Sequence, residues 1–280
     1  MIWERPQFRR CTQVSRSMGQ EPSAKAPTAL DDRSLRPTGL VEVSWISSAE
    51  VPSTASDFLD ERELQRLRNI QNPQAAKDYL AAHFAARVAI GDRLGIRPNE
   101  VRFTMNGLES GGSVKPLIVG TNLQFSLSHS SGMGVVALSH AESVGVDCEH
   151  RERRTNRQFL DRILSVKEKE VPVRVLEGGT RAALTVWTRK EAALKALGMG
   201  LRIDPRDLVV EADHVFLYPG SLAETQLPVR TKSFQLGDSH ICAVTILSSD
   251  LHVRDTTDEL TASVQRLRSH TRNRTVAMVR

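Results

Sequence analysis

The chain is poor in the residues that would mark several protein classes. Three cysteines occur in 280 residues, Cys11, Cys148 and Cys242, and their odd number and wide spacing match neither a disulfide framework nor a zinc site. They are expected as reduced thiols. Aromatic residues make up 5% of the chain, too few for the stacking platform of a nucleic-acid binder. No run of eighteen apolar residues is present, and Met1–Arg10 lacks the continuous apolar segment of a secretory signal. A cytoplasmic protein that enters no membrane is therefore expected.

Charge of either sign is abundant, but its excess is local. The formal net charge is +5, yet residues 40–250 carry twenty-five Lys and Arg against twenty-six Asp and Glu. The basic surplus sits in residues 1–39 and 251–280, the pattern of solvated ends rather than of a nucleic-acid face.

What is present reads as mixed α+β. Residues 1–38 mix Pro, Ser, Arg and Gln without periodicity and are expected to be an unordered extension. A strand over Val41–Ile46, a charged helix over Asp57–Asn69 and an alanine-rich helix from Pro73 to about Leu94, closed by Gly95, come next. Val101–Met105 follows as a strand, then a glycine-rich turn over Asn106–Gly112 and three strands at hairpin spacing: Leu123–Leu127, Gly134–Ser139 and Ser143–Glu149. Helices are expected over Arg157–Leu164, after Ser165 and over Arg181–Leu197, then strands over Leu208–Glu211, Val229–Phe234 and Ile241–Leu247. Two similar α+β halves are expected, 39–145 and 146–250, with largely antiparallel sheets packed with helices. Residues 251–280 are expected as a basic tail, with one helix from Asp258 that frays.

The chemistry concentrates in two segments. In Gly145-Val-Asp-Cys-Glu149, strand alternation points Asp147 and Glu149 to one side with no apolar group beside them. In Trp187-Thr-Arg-Lys-Glu-Ala-Ala-Leu-Lys195, helical spacing places Glu191 and Lys195 on one face. Three carboxylates with a lysine suit a hard divalent ion that carries a phosphate ester. Ser128, His129 and Ser130 gather donors where a strand enters a turn, as phosphate recognition requires. Lys115-Pro116 is a similar signal, and Arg87, one turn after His83, adds a cation with Lys77. Ser165 and Glu168 have capping-box spacing, which alone would account for both.

Taken in order, Lys115-Pro116, Phe125–Ser130, Gly145–Glu149, Arg162-Ile-Leu-Ser-Val-Lys-Glu168 and Trp187–Lys195 resemble the signature series of the Sfp-type 4′-phosphopantetheinyl transferases. The resemblance implies a pseudo-twofold pair of α+β halves that binds coenzyme A and Mg2+, or Mn2+, between them. Such an enzyme transfers phosphopantetheine to a serine of an apo acyl or peptidyl carrier protein and releases 3′,5′-ADP. It further implies that Asp147, Glu149 and Glu191 hold the metal, Lys195 meets the pyrophosphate, His129 and Arg87 meet the 3′-phosphate, and Lys115, Pro116 and Ser128 line the nucleotide site. Glu191 or Glu168 would accept the serine proton, and Arg151, Arg153 and Arg154 would form a basic rim for an acidic carrier helix. A monomer is expected. Ser126, Cys148 and the Gln71-Asn72-Gln74 run depart from the family's usual asparagine, isoleucine and basic cluster. A coenzyme A-binding regulatory protein of the same fold is the competing expectation.

Overall fold

A computed structural model describes residues 39–105, 115–170, 179–217 and 225–278. The extension over 1–38 and the turn expected at Asn106–Gly112 lie outside the described residues. In chain order the elements begin with β1 (Leu40–Ser47), α1 (Glu61–Asn69), α2 (Pro73–Leu94), β2 (Phe103–Met105), β3 (Pro116–Ile118), β4 (Leu123–Ser130), β5 (Met133–His140) and β6 (Val144–His150). They continue with α3 (Arg157–Ile163), α4 (Val166–Glu170), α5 (Gly179–Leu197), β7 (Leu208–Glu211), β8 (His214–Leu217), β9 (Thr225–Leu236), β10 (His240–Ile246), β11 (His252–Asp255) and α6 (Thr257–Met278). This is the mixed α+β architecture expected, antiparallel apart from the pairing of β1 with β11.

Two sheets dominate, one ordered β11-β1-β5-β4 and the other β6-β10-β9-β8-β7. Val41, Val43, Val135 and Ala137 from the first pack against Val144, Val146, Cys148, Cys242 and Val244 from the second. The other face of the first sheet receives α2 through Phe84, Ala85, Val88, Phe125 and Val136. Across the second sheet, α5 packs Leu194 and Ala193 against Leu208, Val215 and Val229. Cys148 and Cys242 face each other as free buried thiols, each buried in the intersheet core.

The sheets meet edge to edge through hydroxyls. Alternate residues from Ser126 to the end of β4 are serines: Ser126, Ser128 and Ser130 accept hydrogen bonds from the backbone N–H groups of Val146, Cys148 and His150 at 3.0, 3.3 and 3.2 Å. The open edge of β6 is thereby satisfied by side chains where no backbone strand reaches it.

Helix ends follow local chemistry. Asn72 caps α2 by accepting from the N–H groups of Gln74 and Ala75, with Pro73 in the first turn. The helix expected from Asp57 divides into a 3-10 turn over Ala55–Phe58 and then α1, because Asp60 and Glu63 form a reciprocal capping box that fixes a new start. Both main helices lie close to strands at glycines. A Cβ on Gly134 of β5 would stand 2.6 Å from the Ala82 nitrogen of α2, and one on Gly145 of β6 would stand 1.9 Å from the Ala192 carbonyl oxygen of α5.

The C-terminal segment is not a solvated tail. Strand β11 pairs parallel with β1, and α6 buries Leu260 and Val264 in the core beneath α2. Strands β8 and β11 were not anticipated: each has four residues, and β11 exposes three of them, which leaves no alternation to read. Among the described residues no helix is long and apolar enough to cross a membrane.

The close approach at Gly145 yields a stability test. Gly145→Ala forces α5 away from β6 and is expected to cost about 2–3 kcal/mol in urea unfolding. Gly237→Ala, in a turn at φ 53° with open space around it, should cost only about 1 kcal/mol of backbone strain. Equal losses would contradict the steric account.

Candidate functional site

Strand β6 places Val144, Val146 and Cys148 in the core between the sheets and turns Gly145, Asp147 and Glu149 toward α5, as alternation requires. Because no side chain separates Gly145 from α5, Glu191 and Lys195 come down onto that row. The Lys195 Nζ donates to Asp147 Oδ1 at 2.8 Å and to the Val146 carbonyl at 2.9 Å. Ser128 donates to the same Asp147 oxygen at 2.9 Å. Glu149 accepts from Trp187 Nε1 at 3.0 Å and pairs with Arg153, whose guanidinium also lies 5.2 Å from the Phe159 ring.

The carboxylates oppose one another. Burial, and then the charge of Asp147, hold both Glu149 and Glu191 above the ordinary carboxylate range. Asp147 is buried, and its Oδ2 has no hydrogen-bond partner among the described residues. A hard cation fits this donor set, because it would satisfy the orphaned oxygen and relieve the repulsion. No group of three or more such side chains is drawn to ligand geometry among the described residues. Lys195 and Arg153 meet the negative charge instead.

Lys195 also borders a pocket of about 620 Å³. Lys115, Pro116, Ser126 and His129 form one wall, and Gly198 and Gly200 line it beyond α5. Lys115 donates to the Val144 carbonyl at 2.5 Å and to Ser143 Oγ at 3.1 Å, and burial pushes its ammonium down to about 8. Burial, then the field of His83, lowers His129 as well. The opposite wall comes from α1 and α2: Arg62, Arg66, Tyr79 and His83. Tyr79 and His83 stack at 3.9 Å, and His129 meets Tyr79 edge-on at 6.1 Å.

Arg62 and Arg66 are pocket residues that sequence reasoning missed. The basic cluster was sought immediately before α2, where Gln71, Asn72 and Gln74 stand; the cations lie one helix earlier. Their spacing of four on α1 was the available signal.

Three expected site residues are placed otherwise. Arg87 is fully buried, with its guanidinium committed to Glu63, Asp60 and the carbonyls of Pro98 and Val101, so it is not presented to a phosphate. Burial opposes ionisation of Glu63, but hydrogen bonds from His83 and Arg87 hold it below the usual range. Glu168 is also buried: its oxygens accept from Ser165, from the Val210 N–H and from Lys190 at 2.5 Å, leaving it no access to a substrate proton. Ser128 is buried too and positions Asp147 instead of lining the pocket beside Lys195.

Residues 143–245 match the 4′-phosphopantetheinyl transferase superfamily. A Synechocystis sp. protein named provisionally as a 4′-phosphopantetheinyl transferase is 28% identical over 149 residues. That match covers 51% of this chain and 58% of the relative, so the chain spans less than two thirds of the relative's own length. Both similarities, over the matched segment, point to the same superfamily as the signature series.

The Arg87 assignment is open to a direct check. Arg87→Met strands two carboxylates, one of them buried, and should cost about 3–5 kcal/mol in thermal or urea unfolding. Any affinity of the folded fraction for a phosphate-bearing ligand such as coenzyme A should stay within about twofold. A stable variant with weakened binding would restore Arg87 as a ligand contact.

Proposed function

We propose that the protein is a 4′-phosphopantetheinyl transferase that moves the phosphopantetheine group of coenzyme A onto a serine of an apo acyl or peptidyl carrier protein, releasing 3′,5′-ADP. One observation carries this reading: Lys195 stands between Asp147 and the 620 Å³ pocket, so a pyrophosphate lying along that pocket would meet the ammonium beside the unshared oxygen of Asp147.

Each residue then has a physical task. Arg66, Lys115 and His129 receive the phosphate of the nucleotide end, with Arg62 at its edge, and the stacked Tyr79 and His83 present a flat face beside it. Lys195 neutralises charge that grows on the pyrophosphate as the bond breaks. Mg2+ or Mn2+, when bound by Asp147, Glu149 and Glu191, supplies Lewis-acid polarisation of the same oxygens. The serine oxygen bonds to the β-phosphorus, the bond from that phosphorus to the oxygen bridging to the ADP portion breaks, and the serine proton passes to Glu191. Of the two candidates, Glu191 stands on the row beside Asp147, whereas Glu168 is closed off by Ser165, Lys190 and the Val210 N–H. Arg151, Arg153 and Arg154 are all exposed; with Arg153 drawn to Glu149 and Arg151 anchored to the Asp238 carbonyl, Arg154 is the arm of the rim left for an acidic carrier helix.

Incubation with coenzyme A, Mg2+ and an apo carrier protein should yield a phosphopantetheine adduct by mass spectrometry. Coenzyme A binding without an adduct would instead identify a regulatory binder of the same fold. Lys195→Ala should lower kcat by roughly 10²–10³-fold, and a loss below about threefold would reject its role.

A further inference from the structure

A second polar site lies on the other side of α5. The strand registers set Gly145, Thr245 and Thr231 in one row across β6, β10 and β9, and Asp147, Ala243 and Ser233 in the next. Since Gly145 faces α5, so do Thr231, Ser233 and Thr245. All three hydroxyls are buried without a hydrogen-bond partner among the described residues, and Thr231 and Thr245 are 0% exposed. Arg189 of α5 has its Nε buried and equally unpartnered. Burial lowers the Arg189 guanidinium, opposed by the charge of Asp213. That carboxylate is already engaged by Arg230 at 3.1 Å and His214 at 2.8 Å.

Arg189 and Thr231 both line an open groove of about 740 Å³, with Lys232 exposed on its wall. Arg189 is two positions from Glu191, about 200° around the helix, and this groove shares no lining residue with the pocket beside Lys195. Buried polar atoms in a native fold are normally satisfied, and here the Arg189 Nε and the Thr231 hydroxyl, both able to donate, are left over just beneath one groove. An apolar ligand would leave them unsatisfied; Asp213 and Asp250 also line the groove, but Arg189, Arg230 and Lys232 outnumber them, so the lining favours an anion over a cation. A tetrahedral oxyanion, which offers acceptors alone and carries the compensating charge, matches them.

We propose that this groove is an oxyanion-binding site for phosphate or a phosphate monoester, held by Arg189 and the Thr231 hydroxyl with Lys232 at the mouth. The site is separate from the transferase pocket and does not depend on that activity. The test titrates inorganic phosphate into the full chain and follows backbone amide resonances of residues 230–232 by NMR. Saturable shifts are expected, with the midpoint raised at least about tenfold in Arg189→Gln. Thr231→Val keeps nearly the same shape and removes only the hydroxyl. It should therefore fold normally and raise the midpoint about threefold or more, even if Arg189→Gln does not fold. Acetate at matched ionic strength should leave these resonances in place. Unsaturable shifts, unchanged midpoints in the folded variants or an equal response to acetate would overturn the proposal; unchanged midpoints would leave water as what satisfies these groups.

Discussion

Position 145 cannot carry a side chain, and most of the site's geometry rests on that fact. With the Ala192 carbonyl where a Cβ would stand, α5 lies against β6. Only at that separation can Lys195 reach both the Val146 carbonyl and the Asp147 carboxylate. The serines of β4 hold the other side of the same strand by its N–H groups. Asp147 is thus fixed from three directions: by the helix above it, by the strand that carries it and by the hydroxyl of Ser128.

Two kinds of buried charge coexist here, and the difference between them is physical. Arg87 and Lys190 are fully enclosed, and each is met by a carboxylate and by backbone carbonyls. Such closed sets hold elements together, and removing either member exposes the desolvation penalty of the rest. Lys195 keeps 30% of its side chain exposed, and its partner Asp147 retains an unshared oxygen. Glu149 and Glu191 beside it remain raised by burial and then by the charge of Asp147. Incomplete compensation next to a pocket is the mark of a group kept available for a ligand.

Sequence patterns that act locally were legible. The asparagine cap and following proline fix the start of α2, Ser165 and Glu168 do cap one another, and alternation along 144–149 sorts core from site. What depended on distant partners was not. Arg87 looked like any cation on an alanine-rich helix, because its fate is set by Glu63 and Asp60 on another helix. Lys190 and Glu191 are adjacent in sequence, yet the helix turns one into the core beside Glu168 and leaves the other near Asp147. The pairing of β11 with β1 likewise has no local signature, since its exposed residues gain their place only from a neighbour at the opposite end of the fold.

That last pairing bears on how the protein is made. β1 lies between β5 and β11, and its Ser44 shares a hydrogen bond with Thr256, 212 residues further along the chain. During synthesis the first sheet must wait with one edge unpaired until β11 has left the ribosome, a delay characteristic of contacts with high sequence separation. The amino-terminal half is therefore not a self-sufficient folding unit, and its first sheet is completed only when β11 and α6 arrive.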